Sequence, residues 1–536
     1  MDVYKGTGAF SGIAIGKILY YHKSEYQMRQ YEITDVKTEL NIFRQARTRV
    51  MEQLEDLYEK NCIIQGTQAE IFLRQKNLLE GKSFQRAIES VIQSEKVNSA
   101  YAVMTTRDEM LKTFRTLEEP AIKERLDNMR EISDRLIGEL GGISPRIDLG
   151  DEPVIVVTES ITPTELMEMD KDKLMAIVTH HGSDMSHAAI MAKTMNIPAL
   201  LEIDTDSEWD GRQAIVDGYT GTLYIDPDEE VKKEYEIRRQ ADKEEREELL
   251  KLRREPDITK DGRKIEIYAN IGNMDDLNSV LYYGAAGIGL LRSEFQYLGR
   301  ENYPRENELF LAYKKIAETM GEKLTVIRTA DLGADKQAEY LNIPDETNPI
   351  MGNRGIRLCL DRKRMFKAQL RAIFRASAYG NLALMYPMIS SEEEMDEIEE
   401  IIREVKIGLD EKGIPYKHIK TGIMIETPAA VMISGELARE VDFFSIGTND
   451  LLQLTLGMDR ENPKLDKYYN PYHPALMKMI RIVANNVHLE GKRISICGDL
   501  AADLSMTEFF VQIGIDELSV APHQVLGLRK KIREIQ

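Results

Sequence analysis

The chain has 536 residues, of which 42% are hydrophobic and 30% charged, and its formal net charge is −20. One hydrophobic core rarely organises so many residues, so the length predicts several domains. The acidic balance disfavours general nucleic-acid binding, and no apolar run is long enough for a membrane span or a secretory signal. We therefore expect a cytoplasmic protein without membrane insertion, whose three scattered cysteines are reduced thiols.

The first half of the chain combines two patterns. Apolar residues recur at three- and four-residue spacing from Ile33 to Leu140, which predicts an antiparallel helical bundle. From about Glu152 to Asp226, short apolar runs alternate with turn signals, which predicts a small α/β unit. The opening stretch GTGAFSGIAIGKILYY is also strand-like, so we predict that it joins this unit and that the helical bundle is an insertion.

The second half begins with a charged segment. From Glu229 to Arg254, both signs of charge recur at helical spacing, which predicts a solvated linker helix ended by Pro256. Eight short β-like runs with room for helices between them follow, and this succession is typical of a TIM barrel. The runs are RKIEIYANIG, GIGLLRSEF, LTVIRTAD, LALMYPMI, TGIMIETP, FFSIGTND, RISICGDL and DELSVAP.

Together these patterns predict a multidomain α/β protein in four parts. Residues 1–20 and 148–228 would form the α/β domain, and residues 21–147 the inserted helical bundle. Residues 229–256 would form the helical linker, and residues 257–536 a C-terminal TIM (β/α)8 barrel.

The ends of the barrel runs carry chemically suggestive side chains. TIM-barrel active sites lie at the carboxyl ends of the strands, where arginine and lysine side chains can clamp an anion bearing phosphate and carboxylate. Glu426 and Asp450 are hard oxygen donors suited to Mg²⁺, which would draw off charge during phosphoryl transfer. Any single one of these strand-end residues could instead form a structural ion pair, but all of them together favour a substrate-binding site. The strand ends and the connections after them contribute Asn270, Arg292, Arg328, Lys336, Arg354, Glu426, Asn449, Asp450, Arg460 and Cys497.

The stretch GSDMSHAAIMAKTMNIPAL places His187 between a polar turn and an apolar helical pattern. Neutral imidazole is a good nucleophile near neutral pH. If Ser186 caps a helix that begins at His187, the imidazole would lie at the amino end of that helix, where negative charge is favoured. A packed or capping histidine is the alternative, and for the neighbouring His180 and His181 we favour solvent or turn roles.

The chain resembles phosphoenolpyruvate-protein phosphotransferase, enzyme I of the bacterial sugar phosphotransferase system, over essentially its whole length. The order and spacing of several long motifs make the resemblance specific. These motifs include SHAAIMAK, GIGLLRSEF, IRTADLGADK, NPIMGNRGIR, GIMIETPAA, FFSIGTNDLLQLTLGMDR and CGDLAAD.

The resemblance implies a mechanism. Phosphoenolpyruvate would bind in the barrel with Mg²⁺, or alternatively Mn²⁺, on Glu426 and Asp450. His187, on a swivelling phosphohistidine domain, would take the phosphoryl group and pass it to a histidine of the carrier protein HPr, which docks on the helical domain. Cys497 would protonate the enolate to give pyruvate, and the barrels would form a homodimer. The implied anion ligands are Arg292, Arg328, Lys336, Arg354, Asn449 and Arg460.

The chain departs from the family pattern at several positions. Asp184 and Met185 lie in the loop where the family usually reads Gly-Gly-x-Thr-Ser-His, and both changes would slow transfer. Leu454 replaces a Tyr, and Asp499 replaces the Glu of the usual Cys-Gly-Glu. Gln75 stands where the family often carries His, which predicts an altered carrier-docking surface.

These departures keep two alternatives open. One is a degenerate regulatory paralogue that binds HPr or phosphoenolpyruvate; retention of His187, Cys497 and every proposed ligand argues against it. The other is a phosphotransferase related to pyruvate phosphate dikinase or phosphoenolpyruvate synthase. The lack of a large ATP-binding region before the histidine domain argues against this second alternative. We favour an active enzyme whose histidine domain swings about segments near Gly150 and the charged helix.

Overall fold

The structure is a computed structural model in which the chain forms two compact units, Met1–Glu247 and Glu248–Gln536. We describe each unit by itself. The structure describes all residues except 23–29, 66–69, 115–119, 142–146, 182–191, 193–194, 196, 273, 275, 299–301, 334–338, 345 and 461.

The first unit contains a mixed β-sheet, in which eight strands are described with the order β1-β8-β7-β3-β4-β5-β6-β2. Its centre is parallel, since β3, β4, β5 and β6 pair in the same direction. Strand β4 reads VIVVT and is buried along its whole length, as expected for a strand covered on both faces. The strands are β1 Asp2–Lys5, β2 Thr7–Phe10, β3 Ile13–Tyr20, β4 Val154–Thr158, β5 Leu174–Thr179, β6 Ala199–Leu201, β7 Gln213–Asp217 and β8 Thr222–Ile225.

Five of the described helices lie between β3 and β4 in the sequence, and a sixth follows β4. Their apolar residues recur at helical spacing, as in α3, where Phe84, Ile88 and Ile92 form one buried stripe. The short α6 begins with a capping box between Thr162 and Glu165 and has proline at its first turn. The helices are α1 Val36–Gln65, α2 Glu70–Glu80, α3 Lys82–Glu95, α4 Ser99–Phe114, α5 Pro120–Leu140 and α6 Pro163–Glu168.

The charged segment forms one long helix, α7, over Glu229–Lys251. Its first part is fixed to the sheet of the first unit, because the buried Tyr235 hydroxyl donates to Asp217 Oδ2 at 3.0 Å. Further along, Arg246 Nη2 donates to the carbonyl of Ser11 at 3.1 Å. Most other α7 side chains are exposed, which explains a sequence that is charged on nearly every face.

The second unit is a closed barrel of parallel strands, with order β9 to β16 in sequence and β16 paired back to β9. All eight β-like runs of the sequence supply one strand each, so the predicted TIM barrel is confirmed. The strands are β9 Glu266–Ile271, β10 Ile288–Arg292, β11 Thr325–Arg328, β12 Leu382–Tyr386, β13 Lys420–Ile425, β14 Phe443–Gly447, β15 Arg493–Cys497 and β16 Glu517–Val520.

Helices cover the outside of this barrel and share its large apolar core. A smaller buried cluster alternates with that core along the strands and includes Leu290, Val326, Met385, Met424 and Cys497. The helices are α8 Asp276–Tyr282, α9 Glu306–Met320, α10 Ile356–Asp361, α11 Lys363–Ser377, α12 Glu392–Glu411, α13 Pro428–Met432, α14 Ser434–Glu440, α15 Thr448–Leu456, α16 Pro474–Leu489, α17 Thr507–Ile513 and α18 Val525–Glu534.

A buried arginine of α18 ties the start of the second unit to its end. Arg529 Nε donates to Asp257 Oδ1 at 2.5 Å, and its Nη atoms donate to the carbonyls of Leu252, Arg253 and Gly284. Because Arg529 is 2% exposed, this charge is compensated entirely by a carboxylate and backbone oxygens.

The structure confirms the fold class and shows the surroundings of Gln75. This side chain is fully buried and donates to Glu131 Oε2 at 2.7 Å, and the altered carrier-docking surface stays a prediction. An amide can replace an imidazole there because both donate a hydrogen bond to a buried acceptor. The multidomain α/β architecture with an inserted helical region is confirmed, and the four domain boundaries stay a prediction. Within the described residues, no helix combines the length and apolar character needed to cross a membrane.

Candidate active site

The carboxyl ends of the barrel strands bring together two buried arginines and two carboxylates. Arg328 ends β11 and Glu426 follows β13, and Arg328 Nη1 lies 3.9 Å from Glu426 Oε1. Arg354 precedes α10 and Asp450 lies in the first turn of α15, with 3.9 Å between Arg354 Nη1 and Asp450 Oδ1. The sequence placed these four residues at one barrel mouth, and the structure brings them into one cluster.

The side chain of Glu426 is buried and closely confined by its neighbours. The backbone N–H of Met388 donates to Glu426 Oε2 at 2.9 Å, and Glu426 is 1% exposed. A Cβ atom at Gly447 would lie 2.8 Å from Glu426 Cγ, so only glycine leaves room for this side chain. Burial raises the pKa of Glu426, and the nearby Asp450 raises it further. A bound cation would relieve that cost by stabilising the ionised form.

Two further buried carboxylates, which the sequence analysis missed, pair with the arginines. Glu294 Oε1 accepts from Arg328 Nη2 at 2.5 Å, and Asp331 Oδ2 accepts from Arg354 Nη2 at 3.0 Å. Glu294 comes two residues after Arg292, and Asp331 comes three residues after Arg328, so acids just beyond strand-end arginines were the available signal. Burial alone would lower the pKa of Arg328, but Glu294 and Asp331 raise it above its usual value.

Cys497 is the last residue of β15 and is 2% exposed. Its Sγ accepts from Ser445 Oγ at 3.4 Å and can donate to the Ile446 carbonyl at 3.4 Å. Burial raises the pKa of the Cys497 thiol to about 11. At physiological pH the thiol is therefore protonated rather than a nucleophilic thiolate, and its role as proton donor stays a prediction.

An open cavity of about 390 Å³ at the barrel mouth is lined by Gly498, the residue that follows Cys497. The exposed Arg292 lines it, together with Asn270 and Asp499. Asn270 is oriented by Ser519, since its Nδ2 donates to the Ser519 carbonyl at 2.9 Å and its Oδ1 accepts from Ser519 Oγ at 2.6 Å. The cavity is large enough for a small anion, and its polar lining combines the cationic Arg292 and the carboxylate Asp499 with two amide side chains, Asn270 and Gln524.

Asn449 lies in the first turn of α15, and Arg460 lies in the segment after that helix. Asn449 Oδ1 accepts from the backbone N–H of Asp499 at 3.1 Å, which links α15 to the segment after Cys497. Asp499 itself is exposed, so its backbone rather than its carboxylate makes this contact. Arg460 is exposed and its backbone N–H donates to Gln453 Oε1 at 2.9 Å, which leaves the guanidinium outside the buried cluster.

Two predicted site residues, His187 and Lys336, lie outside the described residues, as do Asp184, Met185 and Ser186. Nearby, His180 is partly exposed and its Nδ1 lies 3.1 Å from Asp204 Oδ1. This contact fits the solvent or turn role expected for His180, and the phosphohistidine role of His187 stays a prediction.

The donor set at the barrel mouth fits Mg²⁺. Among the described residues, no three or more His, Cys, Asp or Glu side chains form a complete metal-binding set. Mg²⁺ does not require one, because it binds through one or two carboxylates and fills its shell with substrate oxygens and water. Glu426 and Asp450 would form such a pair, because Asp450 raises the pKa of the buried Glu426 and a bound cation would oppose that effect.

Comparisons with known proteins match the whole chain. Models of PEP-utilising enzymes match in three parts: the N-terminal model over residues 5–125, the mobile domain over 150–221 and the PEP-binding domain over 246–536. A phosphoenolpyruvate-protein phosphotransferase of Bacillus subtilis is 37% identical, over 100% of this chain and 95% of its own length. The chain belongs to the phosphoenolpyruvate-protein phosphotransferase family. It is therefore an enzyme, as predicted.

A second curated relative agrees with this family membership. A phosphoenolpyruvate-protein phosphotransferase of Haemophilus influenzae is 38% identical over 99% of this chain and 93% of its own length. An NMR structure of Enzyme I (nEIt) is 29% identical and has a TM-score of 0.40, covering 45% of this chain and 99% of its own. The mobile-domain match contains His187, and the PEP-binding match contains all eight strands of the barrel described above.

Proposed function

We propose that this enzyme transfers the phosphoryl group of phosphoenolpyruvate to His187 and then to a histidine of the carrier protein HPr, releasing pyruvate. The buried cluster of Arg328, Arg354, Glu426 and Asp450 carries the proposal. It combines anion-binding and metal-binding groups at the end of a barrel where small substrates of such folds bind.

In this proposal the arginines hold the anionic substrate. Guanidinium groups offer several N–H donors in a fixed plane, so Arg328 and Arg354 can each engage two oxygens of a phosphate or carboxylate. Burial strengthens these contacts because little water competes for the same oxygens. The remaining proposed anion ligands are Arg292, Lys336, Asn449 and Arg460.

Glu426 and Asp450 are the proposed Mg²⁺ ligands, with Mn²⁺ as the alternative metal. A bound divalent ion would withdraw charge from the substrate oxygens during phosphoryl transfer. The chain's own contribution is the placement of the two carboxylates, which Met388 and the absence of a side chain at Gly447 secure for Glu426.

His187 and Cys497 would carry out the covalent and proton-transfer steps. A neutral imidazole nitrogen of His187 forms a bond to phosphorus while the phosphorus–oxygen ester bond breaks, and the electron pair leaves as an enolate. The Cys497 thiol then gives its proton to the methylene carbon, which completes pyruvate. The raised pKa of Cys497 supports this role, because a thiol that stays protonated is available as an acid.

The finer assignments of partner and assembly also belong to this proposal. The name of the relatives points to a protein acceptor, and HPr is the acceptor that the sequence resemblance implies. A cytoplasmic homodimer formed through the barrels is part of the same expectation.

The decisive experiment is incubation of the purified protein with labelled phosphoenolpyruvate and Mg²⁺, followed by HPr. We expect acid-labile label on the wild type, release of that label to HPr, and one pyruvate for each phosphoryl group transferred. His187→Ala should take no label. His180→Ala is a matched control, because it removes a neighbouring imidazole and should leave labelling intact.

A different result would favour the regulatory alternative. If the wild type binds phosphoenolpyruvate but takes no label, Asp184 and Met185 would mark a binding paralogue. If label appears on His187→Ala, the phosphohistidine assignment is wrong.

A further inference from the structure

Asp331 makes contacts that the proposed reaction does not yet explain. It lies just beyond β11 and is 1% exposed. Its Oδ2 lies 3.3 Å from Arg328 Nη2, and both of its oxygens accept from Arg354 Nη2, at 3.2 and 3.0 Å. One carboxylate therefore contacts both buried arginines of the candidate site, although they come from different segments of the chain.

The backbone around Asp331 is itself fixed. Gln369 Oε1 accepts from the backbone N–H of Ala330 at 3.1 Å, and Gln369 Nε2 donates to Ser293 Oγ at 2.8 Å. Ser293 and Ala330 immediately precede Glu294 and Asp331 in the sequence. One buried glutamine thus holds the two segments that carry the carboxylates.

The loop that carries Arg354 also fits closely against Asp331. The following residue, Gly355, has φ +59°, and its N–H donates to the Leu332 carbonyl at 2.9 Å. A Cβ atom at Gly355 would lie 3.2 Å from Asp331 Oδ1 and 3.0 Å from Met388 Cγ. Glycine tolerates both this φ and this approach, so the Arg354 loop can reach the carboxylate.

The charges of the two arginines and of their two carboxylate partners balance. Asp331 and Glu294 compensate Arg328 and Arg354, which would otherwise repel each other in a buried site. Glu426 and Asp450 lie farther from the arginines, at 3.9 Å in each case. Arg328 has more N–H donors than these carboxylates occupy, and its Nε is buried without a partner among the described residues.

We propose that Asp331 is a positioning residue that sets the spacing of Arg328 and Arg354 for the phosphoenolpyruvate anion. This inference rests on the proposed function and deepens it. In this role Asp331 does not contact the substrate but holds the two guanidinium planes at fixed positions. Misplacing such groups by about 1 Å can lower the efficiency of a site by about a hundredfold.

The test compares Asp331→Asn and Asp331→Glu with the wild type in steady-state pyruvate formation from phosphoenolpyruvate, with HPr as acceptor. Asp331→Asn keeps the size of the side chain and removes its charge, whereas Asp331→Glu keeps the charge and lengthens the side chain. The matched control is Asp257→Asn, which removes the charge from another buried arginine–carboxylate pair of the same barrel. Tm is measured for every variant.

We expect Asp331→Asn to raise the KM for phosphoenolpyruvate by about 10- to 100-fold and to leave the KM for HPr unchanged. Asp331→Glu should lie between this variant and the wild type. Asp257→Asn should lower Tm while its KM for phosphoenolpyruvate stays within about twofold of the wild type, because a partly unfolded population reduces the active fraction and not the affinity.

The inference is overturned if both Asp331 variants keep the wild-type KM for phosphoenolpyruvate, or if Asp257→Asn raises that KM equally. If Asp331→Asn does not fold, the Asp331→Glu variant decides by the same criterion. A wild type that forms no pyruvate would instead overturn the proposed function, and this inference with it.

Discussion

At the scale of single residues, burial gives the side chains at the barrel mouth their chemical character. Cys497 would be an ordinary thiol in water, but its surroundings oppose the thiolate and raise its pKa to about 11. Glu426 experiences the same opposition to its charged form. Cys497 therefore keeps its proton, and Glu426 would be stabilised in its ionised form by a bound cation.

The thiol of Cys497 should remain protonated throughout the neutral and mildly alkaline range. A model cysteine ionises near pH 8.5, so a pKa of about 11 keeps the neutral form until the solution is strongly basic. We expect the ultraviolet thiolate absorbance of the wild type minus that of Cys497→Ala to show no step below about pH 10. A step near pH 8.5 would contradict the proton-donor assignment.

The sequence indicated part of the site because strand ends can be recognised. Arg328, Glu426 and Cys497 each follow or end an apolar run, and parallel strands buried on both faces produce such runs. Asp331 was missed because its role depends on the loop at Gly355, whose left-handed backbone brings Arg354 to it. No local pattern encodes that distant contact.

At the scale of elements, buried polar contacts connect the helices of the first unit to α6. Arg135 of α5 pairs with Glu168 of α6, and both side chains are less than 10% exposed. Gln75 of α2 and Glu131 of α5 share a hydrogen-bond network with Thr164 of α6. Sequence periodicity predicted the helices, but it could not show that polar residues join these faces, because such contacts are specified by side chains far apart in the chain.

Removing one partner of the buried pair should be costly. Arg135→Met leaves the carboxylate of Glu168 buried without its cation, so we expect a loss of about 3 kcal/mol or more in the free energy of unfolding. Adding Glu168→Leu should recover most of that loss. As a control, Arg107→Met removes a cation from two more exposed partners, Asp108 and Asp134, whose side chains are 48% and 51% exposed, and should cost less than about 1 kcal/mol.

Scanning calorimetry of the full chain would measure these changes. If the single Arg135→Met variant unfolds at the wild-type temperature, this ion pair contributes nothing to the stability of the first unit.

Glu517, a carboxylate at the start of β16, should make the free energy of unfolding depend on pH. Burial raises the pKa of Glu517 to about 8, and Arg493 only partly opposes this. The native protein therefore keeps a proton that the unfolded chain releases near pH 4.3. The stabilisation of the native state by the proton on Glu517 is complete below about pH 4.3. It is lost progressively as the pH rises towards about 8.

Glu517→Gln removes the titrating group at nearly constant volume. We expect Tm at pH 8 to rise by at least about 2 °C relative to the wild type, and the difference to vanish near pH 4. An equal change in Tm at both pH values would show that packing, rather than ionisation, causes it.

At the scale of the whole molecule, the proposed reaction requires movement. His187 must meet phosphoenolpyruvate in the barrel and then the carrier protein, so one histidine has two partners. The described contacts anchor α7 to the first unit as far as Arg246, and Arg529 anchors the backbone from Leu252 onwards in the second unit. We therefore expect a pivot in residues 247–251, whose side chains are mostly exposed.

Paired spin labels would test this movement. With Cys62→Ser as background, labels at Asp151→Cys and Lys412→Cys should show a distance distribution that changes when phosphoenolpyruvate and Mg²⁺ are added. A control pair within the barrel, at Lys264→Cys and Lys412→Cys, should not change. An identical distribution for the first pair in every state of the catalytic cycle would exclude the swing.

The closure of the barrel by β16 against β9 has a consequence for biosynthesis. Asn270 and Ser519, which bond across this seam, are 249 positions apart. A ribosome makes the chain from its amino end. One edge of β9 therefore lacks its partner strand until β16, the last of the other seven strands, has been synthesised. The first unit, whose β1 and β8 pair within Asp2–Ile225, can complete its sheet before any barrel strand is synthesised. Newly made protein should therefore depend on chaperones mainly during the second half of translation.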